Sequence, residues 1–314
     1  MDTATETQEK RIDISFSPST KAPETITAKS IENICQDIIK SLPHKGYGQV
    51  SEEYVKALGN KRNQYKTLRS FYANERAGKR IPKKKEDDLR KVGLTTKNIP
   101  EAKAIISSNL LDSLYLTYQL IHQTDPQSEI DSNEPKKHEY INLGAKVNIV
   151  FTNFFIDLHE RFGINDRQLE NIFELVFDQS SLASDLKGRG IENYKKGILA
   201  AVKGYLYLAE SKPNWKISVP EVALDRDHGI DLVATNTKSK ETNYYQVKGI
   251  KAGEVQLENV TSKQKMEELR NKLVLSPKKS SRKDLRSLGN IFDYARKLRS
   301  QGENVNAFWM TIQT

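Results

Sequence analysis

The sequence is poor in cysteine, and Cys35 is the single thiol in 314 residues. One thiol excludes a disulfide within the chain and a zinc site built on cysteines. Cys35 shares a stripe of helical spacing with four isoleucines, so we expect it to be buried and inert. These isoleucines are Ile31, Ile34, Ile38 and Ile39. A reducing cytoplasm is the compartment that we expect for such a chain.

Long apolar runs, zinc-ligand spacing and nucleotide loops are absent too. No run reaches the roughly 18 apolar residues that indicate a membrane-spanning helix. The opening MDTATETQEKRID lacks the basic start and apolar core of a secretory signal, so we expect none. None of the five histidines has zinc spacing, and no GxxxxGK[ST] loop is present. Zinc chemistry and a built-in nucleotide-driven motor are therefore not expected.

Basic residues exceed acidic ones, with 50 Lys and Arg against 41 Asp and Glu and a net charge of +9. An excess of this sign favours a polyanionic partner such as nucleic acid. Many soluble basic proteins bind no such partner, so charge alone leaves the question open. The length predicts about two domains of about 150 residues each.

The first half of the chain predicts helices. Residues 1–26 are polar and are expected to form a disordered tail, and residues 27–180 an all-helical region. Two short amphipathic segments separated by Gly59-Asn60 have the spacing of a helix-turn-helix at 50–74. Its basic residues are candidates for DNA phosphate contacts, although a solvated helical hairpin is the alternative. They are Lys61, Arg62, Lys66 and Arg69.

The second half, residues 185–314, predicts an α/β or α+β domain. Runs at 217–224, 229–234 and 244–250 are rich in β-branched and apolar residues and are interpreted as three strands. A helix precedes them at 191–210, two helices follow at 261–273 and 284–298, and a last strand covers 304–312. The predicted order is a helix, three strands, two helices and a strand.

Two charged residues in these predicted strands, Asp231 and Lys248, are unusual for strand positions. Asp is depleted in strands, and a lysine on an inner strand is costly unless something requires it. Because side chains alternate along a strand, Gln246 and Lys248 point to the same face. A hairpin centred on Ser239-Lys240 places Asp231 opposite Lys248, with Gln246 one pair along. A carboxylate, an amide oxygen and an ammonium then converge, which suits a hard divalent cation and a phosphodiester.

The combination GIDLVA and YYQVKG resembles the PD-(D/E)xK nuclease superfamily, especially Mrr-type and type II restriction enzymes with Gln at the first motif position. The resemblance implies a restriction-endonuclease-like core, a mixed sheet flanked by helices, over the second half of the chain. It implies that Asp231, Gln246 and the Val247 carbonyl bind Mg²⁺ or Mn²⁺ and that Lys248 is catalytic. It also implies double-stranded DNA as the partner and a homodimer.

The second carboxylate of such a site has three candidates. Glu192 opens the helix before the first strand, where Mrr-like relatives carry an acid, although the helix dipole alone favours an acid there. Glu221 in the first predicted strand is the main rival, and Asp227 is the third. His228 is interpreted as a turn residue, with a general base as the alternative. Basic residues that could hold DNA near the site, or simply face solvent, are Lys251, Arg282 and Lys283.

The sequence therefore predicts a Mg²⁺-dependent DNA endonuclease of the type II restriction kind. A repair, transposon-end or RNA nuclease of the same fold is one alternative. A nucleic-acid-binding protein whose nuclease-like fold is inactive, because Gln246 stands in place of Glu, is the other.

Overall fold

The computed structural model describes residues 26–42, 51–80, 82–123, 134–179, 191–251, 253–275 and 282–314. These segments hold ten helices and five strands, so the fold is α+β. Of the expected tail, only Ile26 lies within the described residues. No helix in these segments is long and apolar enough to cross a membrane. The first seven helices are α1 (Ala28–Lys40), α2 (Glu52–Arg76), α3 (Lys83–Lys91), α4 (Glu101–Gln123), α5 (Glu134–Phe162), α6 (Asp166–Gln179) and α7 (Ile191–Ser211).

Helix α1 follows the predicted apolar stripe. The Thr27 side chain caps it by accepting a 3.2 Å hydrogen bond from the Ser30 amide. Cys35 and the stripe isoleucines are buried, as predicted. All of them except Ile39 belong to a core shared with α2, α4, α5, α6 and the middle of α7. Burial, followed by the nearby Glu32 charge, raises the pKa of the Cys35 thiol to about 12. At neutral pH the thiol is therefore protonated and shielded from reagents.

Helix α2 corrects the helix-turn-helix prediction. Ser51 caps it as expected, but the helix runs without a break through Gly59-Asn60 to Arg76. The glycine has a packing role: a Cβ at Gly59 would lie 3.0 Å from Cε2 of Tyr115 on α4. Gly59 therefore lets two helices approach closely, and the helix-turn-helix at 50–74 is wrong.

The remaining elements are β1 (Trp215–Ser218), α8 (Val222–His228), β2 (Leu232–Asn236), β3 (Thr242–Ile250), β4 (Gln256–Asn259), α9 (Lys263–Leu275), α10 (Arg282–Ser300) and β5 (Val305–Gln313). The strands form one mixed sheet in the order β1-β2-β3-β5-β4. Strands β1, β2 and β3 are antiparallel neighbours, β5 is parallel to β3, and β4 is antiparallel to β5.

The predicted first strand at 217–224 is only partly correct. Strand β1 ends at Ser218, before Pro220, which has no amide hydrogen to donate to a sheet. The residues that follow form α8 instead, and Glu221 is its N-cap. The placement of Glu221 inside a strand is therefore wrong.

Helices cover both faces of the sheet. Tyr205 and Leu208 of α7 pack on one face with Leu232, Val247 and Met310. On the other face, α9 and α10 bury Leu269, Leu288 and Ile291 against Ile230 and Trp309. Helix α7 also contributes Ile198 and Val202 to the core of the helical region. This one helix thus joins the helical region to the sheet.

Candidate active site

The β2–β3 hairpin sets the register of the site. Its turn begins at Asn236, whose Oδ1 accepts hydrogen bonds of 2.9 Å from the amides of Lys238 and Ser239. Lys240 has the positive φ of 62° that closes the turn onto Glu241. The turn is therefore centred one residue earlier than predicted.

This register changes the partner of Asp231. Leu232 pairs with Tyr245, and the Asp231 amide donates a 2.8 Å hydrogen bond to the Tyr245 carbonyl. Asp231 thus lies opposite Gln246 at the open end of β2, and the predicted pairing of Asp231 with Lys248 is wrong. Its Oδ2 accepts hydrogen bonds from the Gln246 side-chain amide and, at 2.7 Å, from the Val247 backbone amide.

Gln246 is only 4% exposed, yet one of its two side-chain polar atoms forms no hydrogen bond with a described residue. Nε2 donates to Asp231, so Oε1 points away from that carboxylate. Oε1 is buried and has no hydrogen-bond partner among the described residues. It is one of five such side-chain atoms among the described residues, and it is the one that belongs to the motif strands β2 and β3.

Gly229 makes room for that oxygen. It ends α8 with a left-handed φ of 63°, and a Cβ there would lie 2.5 Å from Gln246 Oε1. A side chain at this position would meet both backbone strain and a direct collision. The Gly-Ile-Asp sequence therefore positions Asp231 and leaves the Gln246 side chain its space.

Lys248 points to the same sheet face as Gln246, as strand alternation predicts. Its Nζ lies 3.3 Å from Oδ1 of Asp284 at the start of α10, and 5.5 Å from the ring centroid of Trp309. The lysine is thus held from α10 and β5, and not by Asp231. Asp284 could not be found from the sequence, because only the packing of α10 on the sheet brings it to the motif.

A small cleft with a volume of about 30 Å³ lies beside Asp231. Its polar lining includes Asp225 of α8 and, from α5, Thr152 and Asn148, whose Oδ1 is buried without a described partner. Asp225 supplies a second carboxylate that the sequence pattern did not single out. The remaining lining residues are Ile149, Gly197, Ala201, Val219 and Pro220.

Two of the three predicted second carboxylates, Glu221 and Asp227, do not line this cleft. Glu221 is exposed at the start of α8 and does not line the cleft. Asp227 is exposed, and its Oδ2 accepts a 2.6 Å hydrogen bond from Arg226. Glu192 belongs to the first turn of α7, but its side chain lies outside the described part of the structure. Among the described acids, Asp225 is therefore the best candidate for the second carboxylate, because it lines the same cleft as Asp231.

His228 stacks on Tyr294 of α10, with ring centroids 4.1 Å apart. Burial lowers the pKa of His228, a shift that Asp227 opposes and Lys297 reinforces. The ring lies at the α8 turn, as expected, and does not line the cleft beside Asp231. This position supports a structural role for the imidazole.

The basic residues of α2 contact other helices. Arg62 and Lys66 both pair with Asp112 of α4, Lys66 at 2.9 Å, and Arg69 donates a 2.7 Å hydrogen bond to Asn109. Lys61 donates to Ser41, and burial lowers its pKa. These side chains hold the helical region together. Lys251 is exposed beyond β3, and the side chains of Arg282 and Lys283 lie outside the described residues.

The donor set at Asp231 fits a weakly held magnesium ion. Within the described part of the chain, no group of three carboxylate, imidazole or thiol side chains could hold a metal. Mg²⁺, however, commonly uses one or two protein carboxylates and takes its other ligands from phosphate and water. Asp231 and the Val247 carbonyl supply oxygen donors of this kind, and Gln246 would add a third if its amide turned so that Oε1 replaced Nε2 beside Asp231. The Val247 carbonyl points to the same strand edge as its amide, which is the edge that Asp231 occupies.

Comparison of the chain with protein-family models, with curated proteins and with solved structures finds no match.

Proposed function

We propose that this protein is a Mg²⁺-dependent endonuclease that hydrolyses DNA, with a PD-(D/E)xK site of the Gln variant. One observation carries the proposal: Asp231 contacts both Gln246 and Val247 at the open end of a hairpin, and Lys248 follows on the Gln246 face. A carboxylate, an orphaned amide oxygen and an ammonium thereby occupy one short stretch of two strands.

The sheet supports the same interpretation. An antiparallel run of β1, β2 and β3 follows helix α7, and β5 returns parallel to β3 after two helices. Apart from α8, which is inserted between β1 and β2, this order supports the proposed restriction-endonuclease-like core. The additional strand β4 lies at the far edge, next to β5, and leaves the motif strands β2 and β3 adjacent.

In this proposal Asp231, the Val247 carbonyl and Gln246, with its amide turned so that Oε1 replaces Nε2, would hold the metal. Asp225 or Glu192 would add the second carboxylate. A bound Mg²⁺ would polarise the phosphate and lower the pKa of an attacking water. Lys248 would place its positive charge beside the phosphate oxygens as they gain charge. The net charge of +9 favours a polyanionic substrate, and a homodimer would bring one site to each strand of a duplex.

The test is cleavage of supercoiled plasmid by the purified protein with Mg²⁺ or Mn²⁺, compared with the same protein in chelator. We expect nicked or linear DNA with metal only, and a decrease of at least about 10²-fold in rate for Asp231→Asn and Lys248→Met. Lys216→Met is the matched control, because Lys216 is an exposed lysine on β1 of the same sheet.

Three results of this experiment distinguish the proposed nuclease from its alternatives. Metal-dependent cleavage that both site variants abolish supports the proposal. Binding of DNA without cleavage by any preparation would favour the non-catalytic alternative. Cleavage at the wild-type rate by Asp231→Asn or Lys248→Met would mean that the activity comes from another site or a contaminant.

A further inference from the structure

The first turn of α10 lies over the Gln246-Val247-Lys248 stretch. Asp284 contacts Lys248, and Ser287, one turn further on, borders the space that Gly229 leaves for Gln246. Residues three apart on a helix share a face, as do residues two apart on a strand. One face of α10 therefore lies beside both Gln246 and Lys248, the two β3 side chains that the proposed nuclease site uses.

Among the described residues, Lys248 has few neighbours that could fix its ammonium. Trp309, which is 3% exposed, contributes a ring face 5.5 Å away. Within the described residues, Asp284 is the acid that forms an ion pair with Lys248. A lysine side chain has four rotatable bonds and loses considerable entropy when it is held in one place. Without the Asp284 carboxylate, nothing charged among these described neighbours would hold the ammonium over Trp309.

Asp284 lies where a negative side chain is favourable. It lies in the first turn of α10, where the helix dipole favours a negative side chain. Both partners are partly shielded, with about a quarter to a third of each side chain exposed: 26% for Lys248 and 30% for Asp284. The separation of 3.3 Å leaves the ammonium able to turn further hydrogens to a phosphate. An ion pair of this kind orients the Lys248 ammonium and leaves it accessible to a phosphate.

We propose that Asp284 is a positioning residue for Lys248. Its carboxylate holds Nζ on the Gln246 face of β3, where the proposed site requires a cation beside the scissile phosphate. This inference rests on the proposed function, since an oriented lysine matters only if Lys248 meets the substrate. Asp284 itself touches no reacting atom in this scheme.

Cleavage kinetics test the role. Asp284→Asn should lower kcat by about 10- to 100-fold while KM changes less than about twofold, because displacement of a catalytic group affects the reacting state more than binding. Asp284→Glu keeps the charge and should recover most of the activity. Asp293→Asn is the matched control, an exposed aspartate on the same helix, and should behave as wild type.

A second measurement does not depend on activity. The chain has two tryptophans, so its NMR spectrum has two indole N–H signals, and Trp215→Phe assigns the Trp309 signal. Asp284→Asn and Lys248→Met should both displace the Trp309 signal, because both remove the ammonium from its place over the ring. Asp293→Asn should leave it in place. Melting temperatures confirm that each variant is folded.

The outcomes separate the two proposals. A wild-type protein that never cleaves DNA overturns the proposed function and this inference with it. If wild type cleaves and Asp284→Asn keeps its kcat, the inference alone is overturned. A decrease in kcat that Asp284→Glu does not rescue, with an unmoved Trp309 signal, also overturns it, because Asp284 would then act without positioning Lys248.

Discussion

Asp231 Oδ2 accepts a 2.7 Å hydrogen bond from the Val247 amide, so the candidate metal carboxylate also completes the backbone hydrogen bonding of β3. Asp231→Ala would leave this amide and the Gln246 side chain without their acceptor. We expect a decrease of about 1–3 kcal/mol in the free energy of unfolding. Asp231→Asn retains a side-chain oxygen that can accept from Val247 and should be destabilised less. Urea unfolding of the two variants measures the difference, and equal stability of Asp231→Ala and wild type would contradict the structural role.

The direct contact between Gln246 and Asp231 predicts a metal-dependent stability for Gln246→Glu. The substitution replaces an amide donor by a second carboxylate beside Asp231, and two like charges at this distance repel. Without metal the variant should melt at a lower temperature than wild type. Added Mg²⁺ should raise its melting temperature more than that of wild type, because only a cation satisfies both carboxylates.

Gln246→Leu is the control for that experiment, since it has neither donor nor acceptor at this position. It should be insensitive to Mg²⁺ and should not cleave DNA. A Gln246→Glu protein whose melting temperature does not respond to Mg²⁺ would argue against a metal at this position.

Substitution of Gly229 should destabilise the fold through a steric clash as well as through backbone strain. Substitution of a second glycine measures the backbone contribution alone. Gly229→Ala suffers both a left-handed backbone and a collision with Gln246 Oε1, whereas Gly163 has a similar φ of 65° and a Cβ there would meet no atom within 4 Å. Gly163→Ala should therefore show only the backbone penalty, about 1–2 kcal/mol. Gly229→Ala should be destabilised more, and its DNA cleavage should fall as well. Equal destabilisation of both variants would show that Gln246 moves aside freely.

Substitutions of basic residues on α2 and on α3 should differ in their effects on the stability of the fold and on nucleic-acid binding. Arg62→Met with Lys66→Met removes both ion pairs of Asp112 and should lower the free energy of unfolding by about 1–2 kcal/mol. Lys83, Lys84 and Lys85 are exposed, with no ion pair in the part of the chain that the structure describes. Replacing these three by Gln should leave stability within about 0.5 kcal/mol.

If the helical region binds DNA, the triple α3 variant should flatten the plot of log K against log salt by about 0.9 for each phosphate that it no longer neutralises. An unchanged slope would mean that these lysines are merely solvated. The α2 variant, by contrast, should change the slope only as far as its lower stability reduces the folded population.

Local patterns predicted much of the fold. The α1 stripe, the Ser51 cap and the common face of Gln246 and Lys248 follow from periodicity and capping, which depend on nearby residues alone. The register of β2 and β3 was missed because one Asx turn at Asn236 moved the turn centre by one residue. Gly59 was interpreted as a turn because its contact with Tyr115 is a tertiary feature. Asp284 and Asp225 needed the packing of α10 and α8, which no local spacing encodes.

His228 predicts how stability near the site depends on pH. Asp227 and the C-terminal end of α8 favour the charged ring, but burial lowers the pKa of His228, and Lys297 adds to that effect. The unfolded chain therefore binds a proton at a higher pH than the folded chain does. The stability from a neutral His228 is present above the unfolded pKa of about 6.5 and is lost as the pH falls below it. His228→Phe keeps a ring for Tyr294 and removes the titration, so its free energy of unfolding should fall less steeply than that of wild type as the pH decreases below about 6.5. Urea unfolding across this range measures both slopes, and parallel slopes would show that folding does not change the protonation of His228.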